Sequence, residues 1–144
     1  MIPEFKEAYR WLSNFYPCKI IFEGKEYPSV EHAYQSAKRD DPSWKKFCQE
    51  TESPGKVKRE ARKINIDVNI WDKKKMIVME SCLNKKFNQE PFRSMLLTTG
   101  DQDLQEGNNW GDTFWGVSLK TGQGQNHLGK LIMLKRDQLN QKVF

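Results

Sequence analysis

The sequence predicts an α+β domain that is predominantly helical and carries a small antiparallel β element. Three observations lead there. Apolar residues recur at helical spacing in one segment after another. Ser-Pro and Asp-Pro pairs stand where helices would begin. Strand-like patterning is confined to a run near the start and a short piece near residue 115. A chain of 144 residues fits a single domain over residues 1–144.

Each element follows in order. SNFYP has turn chemistry, and CKIIFEGKEY is an apolar run interrupted by Glu-Gly-Lys, which reads as a hairpin. Ser29 is placed to cap a helix through about Arg39, with Val30, Ala33, Tyr34 and Ala37 as its core stripe. Asp41-Pro42 and Ser53-Pro54 open two more helices, and Val57, Ala61 and Ile64 keep the period of the second. A longer helix is expected from about Trp71 to Phe87, carrying Met76, Met79, Leu83 and Phe87. Pro91 begins a short helix through Leu97, and a last helix from about Asn126 to Leu139 buries Leu128, Leu131, Ile132 and Leu139.

Bulk properties exclude several classes. Hydrophobic residues make up 37% and aromatics 12%, enough for a packed interior. No apolar stretch is long enough to span a bilayer, and MIPEFKEAYR lacks the apolar core of a signal peptide, so a cytoplasmic protein without a membrane partner is expected. Cys18, Cys48 and Cys82 are odd in number and widely spaced, which suits reduced thiols rather than disulfides or a zinc site. Cys48 and Cys82 fall at apolar helical positions and are expected to be buried. No metal-ligand spacing is present, and neither a metal nor a redox cofactor is expected.

The net charge of +5 is local: between Lys56 and Lys75 eight Lys/Arg face three acids, Glu60, Asp67 and Asp72. Such a patch favours a phosphate-bearing partner, although a solvated helix face explains it as readily. Glu31 shares a helical face with Gln35 and Lys38, and a first-turn position would stabilise it as an anion. An anionic carboxylate suits a base or a partner for a developing cation; ordinary helix-start chemistry also favours Glu there. Two Trp-Gly pairs, Trp110-Gly111 and Trp115-Gly116, flank Asp112 in a glycine-rich loop. They suit either base stacking or the anchoring of an irregular loop. GQGQNHLGKLIM offers helix-start amides for a phosphate, or equally a tight turn with close helix packing.

LSNFYP at Leu12–Pro17, SVEHAYQSAK at Ser29–Lys38, NNWGDTFWG and GQNHLGKLIM form an ordered series that resembles the NADAR superfamily, the YbiA-like proteins. The resemblance runs from Trp11 to about Arg136 and includes LLTTGD at Leu96–Asp101. It implies a compact YbiA-like domain and an N-glycosidase that hydrolyses a ribose C1′–N bond without a cofactor. The expected reaction is removal of ADP-ribose from guanine, free or in DNA. The alternatives are hydrolysis of phosphoribosylamino intermediates of riboflavin synthesis, or binding of ADP-ribose or NAD derivatives without turnover. The resemblance implies Glu31 as the catalytic carboxylate and Asp112 as its assistant. It also implies a substrate pocket of Ser13, Asn14, Phe15, His32, Lys38, Trp71, Trp110, Trp115 and Gly116. Many members carry an acid directly after the second Trp-Gly; this chain has Val117, so the assistant is less firmly placed than Glu31.

Overall fold

The computed structural model describes residues 1–141 and places them in two compact units, one formed by residues 14–86 and the other by residues 1–13 with residues from 87 onward. In the first unit, β1 (Ile20–Phe22) and β2 (Lys25–Tyr27) pair antiparallel, with Ile20 opposite Tyr27. Glu23 and Gly24 both adopt positive φ, 50° and 78°, the backbone a two-residue hairpin turn requires. The expected hairpin is therefore present, tighter than Glu-Gly-Lys suggested.

Helix α1 (Val30–Ser36) starts where Ser29 predicts, the Ser29 hydroxyl accepting from the His32 amide at 3.3 Å. It stops short of Arg39, and all seven of its residues are buried. Helices α2 (Pro42–Glu50) and α3 (Pro54–Ala61) begin at their prolines, capped by Asp41 and Ser53. Helix α4 (Val68–Phe87) begins earlier than Trp71. The Asp67 carboxylate accepts from the Ile70 amide at 3.2 Å, so the cap is an acid that the apolar period did not reveal. Ile64 lies beyond α3, and Ile64 and Met76 are half-buried rather than core.

The second unit opens with a 3₁₀ helix (Glu7–Leu12) that the apolar pattern did not announce. Helices α5 (Phe92–Thr98) and α6 (His127–Gln141) match expectation, except that Leu131 is only half-buried. Strands β3 (Gly107–Asn108) and β4 (Val117–Ser118) pair in parallel, a small addition to the antiparallel element foreseen. The fold class is that expected: α+β, mostly helical, with minor β structure. Among the described residues no helix is long and apolar enough to cross a membrane.

All three cysteines are buried and outside disulfides, and burial pushes the Cys48 and Cys82 thiols up to about 12. Lys86 on α4 is 0% exposed, and burial draws its ammonium down to about 7, against a smaller upward pull from Cys18. Between that value and the ordinary lysine value the unfolded chain holds a proton that the folded chain lacks, so this contribution to stability grows with pH. The cysteines oppose it only above their ordinary value of 9.0. The unfolding free energy should therefore rise between about pH 7 and 9, by at most ~1.4 kcal/mol per pH unit from this group. Lys86→Met should flatten that rise in urea titrations; an unchanged slope would show that Lys86 does not titrate there.

Candidate active site

In the first unit the site grows from the two turns of α1. Glu31 is 6% exposed, and its backbone amide donates to the Asn14 carbonyl at 3.1 Å. That bond ties the SNF segment to the start of the helix. One turn on, the Gln35 Nε2 donates to the Glu31 Oε2 at 2.5 Å, a contact the i, i+4 spacing makes available. Gln35 is itself held in place because its backbone carbonyl accepts from the Trp44 indole at 3.0 Å. Two turns of helix give little macrodipole, so the charge of Glu31 depends more on neighbouring side chains than on helix position.

Lys38 is one of these. Burial pushes its ammonium below the ordinary lysine value, Glu31 pulls it back up, and Arg62, Lys58 and Lys75 push it down again. Part of the basic stretch read from the sequence thus acts electrostatically on Lys38, whose charge also interacts with that of Glu31. The Lys38 Nζ sits 5.9 Å from the Trp71 ring centroid and 6.0 Å from that of Tyr34. The Lys74 Nζ is 5.8 Å from the same Trp71 ring, and Tyr34 meets Trp71 at 5.2 Å.

Trp71 is only 6% exposed, so it offers little face to a flat ligand; it forms a floor for two lysines. Phe15, 40% exposed with the Lys58 Nζ 5.8 Å from its ring centroid, is the open aromatic of this unit. His32 is 0% exposed, its Nδ1 lying 2.6 Å from the Ser29 hydroxyl and its Nε2 2.8 Å from the Thr51 carbonyl. Burial lowers its pKa, and with both ring nitrogens engaged it braces α1 rather than meeting a ligand. Ser13 is half-buried at the end of the 3₁₀ helix, where its amide donates to the Arg10 carbonyl at 3.0 Å.

The Trp-Gly loop belongs to the second unit, and its geometry is that of a folded knot of polar contacts. The Asp112 Oδ1 accepts from the Phe114 amide at 3.1 Å and from the Trp115 amide at 2.9 Å. Asn108, 1% exposed, donates to the Asp112 carbonyl at 2.8 Å and accepts from the Asp112 amide at 3.1 Å. The role the structure shows for Asp112 is thus to hold the loop. Trp115 is half-buried, edge-on to Phe114 at 4.8 Å, while Trp110 is 57% exposed.

Gly116 has a packing reason: a Cβ there would lie 2.1 Å from the Glu106 carbonyl. The amides of Asn126, His127 and Leu128 donate to the carbonyls of Gly116, Phe114 and Trp115. The start of α6 therefore closes on the Trp-Gly loop, and the tight-packing reading of GQGQNHLGKLIM displaces the phosphate reading. Asn126 completes the joint, accepting from the Glu106 amide at 3.0 Å and donating to the Leu104 carbonyl at 2.9 Å.

Sequence reasoning did not single out Asn108, and it read Tyr34 only as core, Asn126 only as part of a helix start, and Lys58 and Lys74 only as members of the basic stretch. For the two asparagines the only available signal was their place in a Gly-rich loop, where Asx side chains bond to backbone. Among the described residues no cluster of His, Cys, Asp and Glu could hold a metal ion. Asp112→Ala should cost about 1–2 kcal/mol in chemical denaturation, the loss expected for an Asx cap. Asp112→Asn keeps the accepting oxygen and should cost less than half as much. Equal losses would show that the charge, not the acceptor, holds the loop.

Comparison with known proteins shows the family to which this fold belongs. The NADAR domain family matches residues 3–140. A riboflavin biosynthesis protein of Vibrio vulnificus is 34% identical over 137 residues, covering 94% of this chain and 37% of that protein's own length. The N-glycosidase YbiA of Escherichia coli is 33% identical over 135 residues, covering 92% of this chain and 83% of YbiA. The NMR structure of E. coli YbiA superposes with a TM-score of 0.83 at 30% identity, covering 99% of this chain and 88% of that one. The chain belongs to the NADAR family, as an enzyme of the N-glycosidase kind that its YbiA relatives represent.

Proposed function

We propose that this protein hydrolyses the C1′–N bond of a phosphorylated ribosyl substrate, with Glu31 as the catalytic carboxylate. The observation that carries the reading is a buried carboxylate held by Gln35, with the partly buried ammonium of Lys38 interacting with it. Cleaving a glycosidic bond builds positive charge on the sugar, and an anion fixed beside C1′ stabilises that charge without reorganising. The same carboxylate can orient the attacking water and take its proton. Lys38 feels the positive charges of Arg62, Lys58 and Lys75 as well as the negative charge of Glu31, and an anionic ligand such as a phosphate would relieve that repulsion. Phe15, 40% exposed in the same unit as Glu31, is an aromatic with ring surface for the leaving base. Asp112 and Gly116 enter as the residues that shape the Trp-Gly loop, with Trp115 packed inside it.

For the substrate, the reading we favour is ADP-ribose attached to guanine, free or in DNA, because several cations surrounding one lysine suit more than one phosphate. A second reading, a phosphoribosylamino intermediate of riboflavin synthesis, is supported by the name of the Vibrio vulnificus relative. Incubation with each substrate, followed by chromatography for released base or amine, separates them. The favoured reading predicts free guanine or unmodified DNA and ADP-ribose. Release only from the phosphoribosylaminouracil would establish the second reading in its place, and no release from either would sink both.

Glu31→Gln should lower kcat by at least ~100-fold with the fold intact, since the amide can neither carry charge nor take a proton. Activity retained within a few-fold would remove Glu31 from the chemistry. Asp112→Asn should keep most of the activity, as the loop-holding role requires. A loss on the scale of Glu31→Gln would instead make Asp112 a second catalytic carboxylate.

A further inference from the structure

Two side-chain oxygens beside Glu31 have no hydrogen-bond partner in the structure: the Asn14 Oδ1 and the Gln35 Oε1. Both residues are over nine-tenths buried, at 8% and 4% exposure. Buried carbonyl acceptors are normally satisfied, and leaving one unmade is costly. The orientation of Gln35 is not arbitrary. Its Nε2 must face the Glu31 carboxylate at 2.5 Å, because an oxygen there would repel it, so the Oε1 is the atom left over. Asn14 is fixed in the same way from its other end, its Nδ2 directed at the Met79 sulfur at 3.5 Å and its backbone carbonyl taken by the Glu31 amide.

The neighbourhood of Glu31 is therefore rich in acceptors. Phosphate oxygens and base carbonyls are acceptors themselves and cannot satisfy these two atoms. A ligand that satisfies both must bring two donors. The vicinal 2′- and 3′-hydroxyls of a ribose do this, and the 2′-hydroxyl stands on the carbon next to the C1′ that Glu31 faces in the proposed reaction. We infer that Asn14 and Gln35 accept hydrogen bonds from the sugar's vicinal hydroxyls and make the site specific for ribosyl over 2-deoxyribosyl substrates. This rests on the N-glycosidase reading for the identity of the sugar. It assigns Gln35 a double role: it orients the carboxylate with one end and reads the substrate with the other. A hydrogen bond to the 2′-hydroxyl that tightens as the sugar becomes cationic would also add to the rate.

The test compares two small probes, ribose 5-phosphate and 2-deoxyribose 5-phosphate, by calorimetry on the wild type, Gln35→Met and Asn14→Ala. The wild type should bind the ribose probe about 10- to 100-fold tighter, the penalty of leaving a buried acceptor unmatched. Each variant should bring the ratio of the two affinities towards unity. A residue with a merely structural role would weaken both probes alike and leave the ratio unchanged. Equal affinities in the wild type, or no binding of the ribose probe, would overturn the inference. So would a ratio that survives in both variants. Should a variant fail to fold, the wild-type ratio still decides. Turnover separates this inference from the reading it rests on. Glu31-dependent cleavage without sugar discrimination sinks only the inference, and discrimination without cleavage of any N-ribosyl substrate sinks only the N-glycosidase reading.

Discussion

Burying a carboxylate on a helix with no solvent-facing side is the constraint on which the rest of this structure depends. Every residue of α1 is buried, and Glu31 lies among them. Removing a charged group from water is costly unless donors and opposite charges replace the solvent. Gln35 supplies the donor and Lys38 the nearby cation. Lys38 in turn is poorly solvated and crowded by Arg62, Lys58 and Lys75, with aromatic rings of Tyr34 and Trp71 close to its ammonium. The arrangement compensates the carboxylate yet leaves two unmet acceptors. On the reading proposed above, such a site suits a ligand that is anionic at one end and hydroxylated at the other.

The second unit solves a different problem, that of ordering a loop with little regular structure. It does so with side chains that imitate backbone. Asp112, Asn108 and Asn126 together satisfy amides and carbonyls from Leu104 to Trp115, and the first amides of α6 are spent on the same loop. Glycines at 116, 124 and 129 are required because backbone atoms approach within 2.3 Å of where a Cβ would sit. The resulting surface leaves Trp110 exposed.

How much of this was legible in the sequence varied with the range of the interaction. Ser29, Asp41-Pro42 and Ser53-Pro54 marked helix starts because capping is local, acting over two or three residues. Glu31, Gln35 and Lys38 could be placed on one face for the same reason. The start of α4 was misplaced because Asp67 caps a turn containing Val68 and Ile70, exposed apolar residues outside the core stripe. The buried state of Lys86 and the partners of Asn126 join residues far apart in the chain, and nothing in a linear pattern predicts them. Trp71 and His32 illustrate a further point: a motif places residues near a site but does not say which of them face the ligand. Both are buried, and they support it from behind.

The central claim is that Glu31 stabilises positive charge at the sugar, and it can be tested without knowing the leaving group. An iminoribitol 5-phosphate, cationic where the ribosyl transition state is cationic, can be titrated by calorimetry against neutral ribose 5-phosphate. The wild type should prefer the cation by about 100-fold or more, as enzymes prefer transition-state mimics, and Glu31→Gln should lose most of that preference. A preference equally strong in the two proteins would contradict the account.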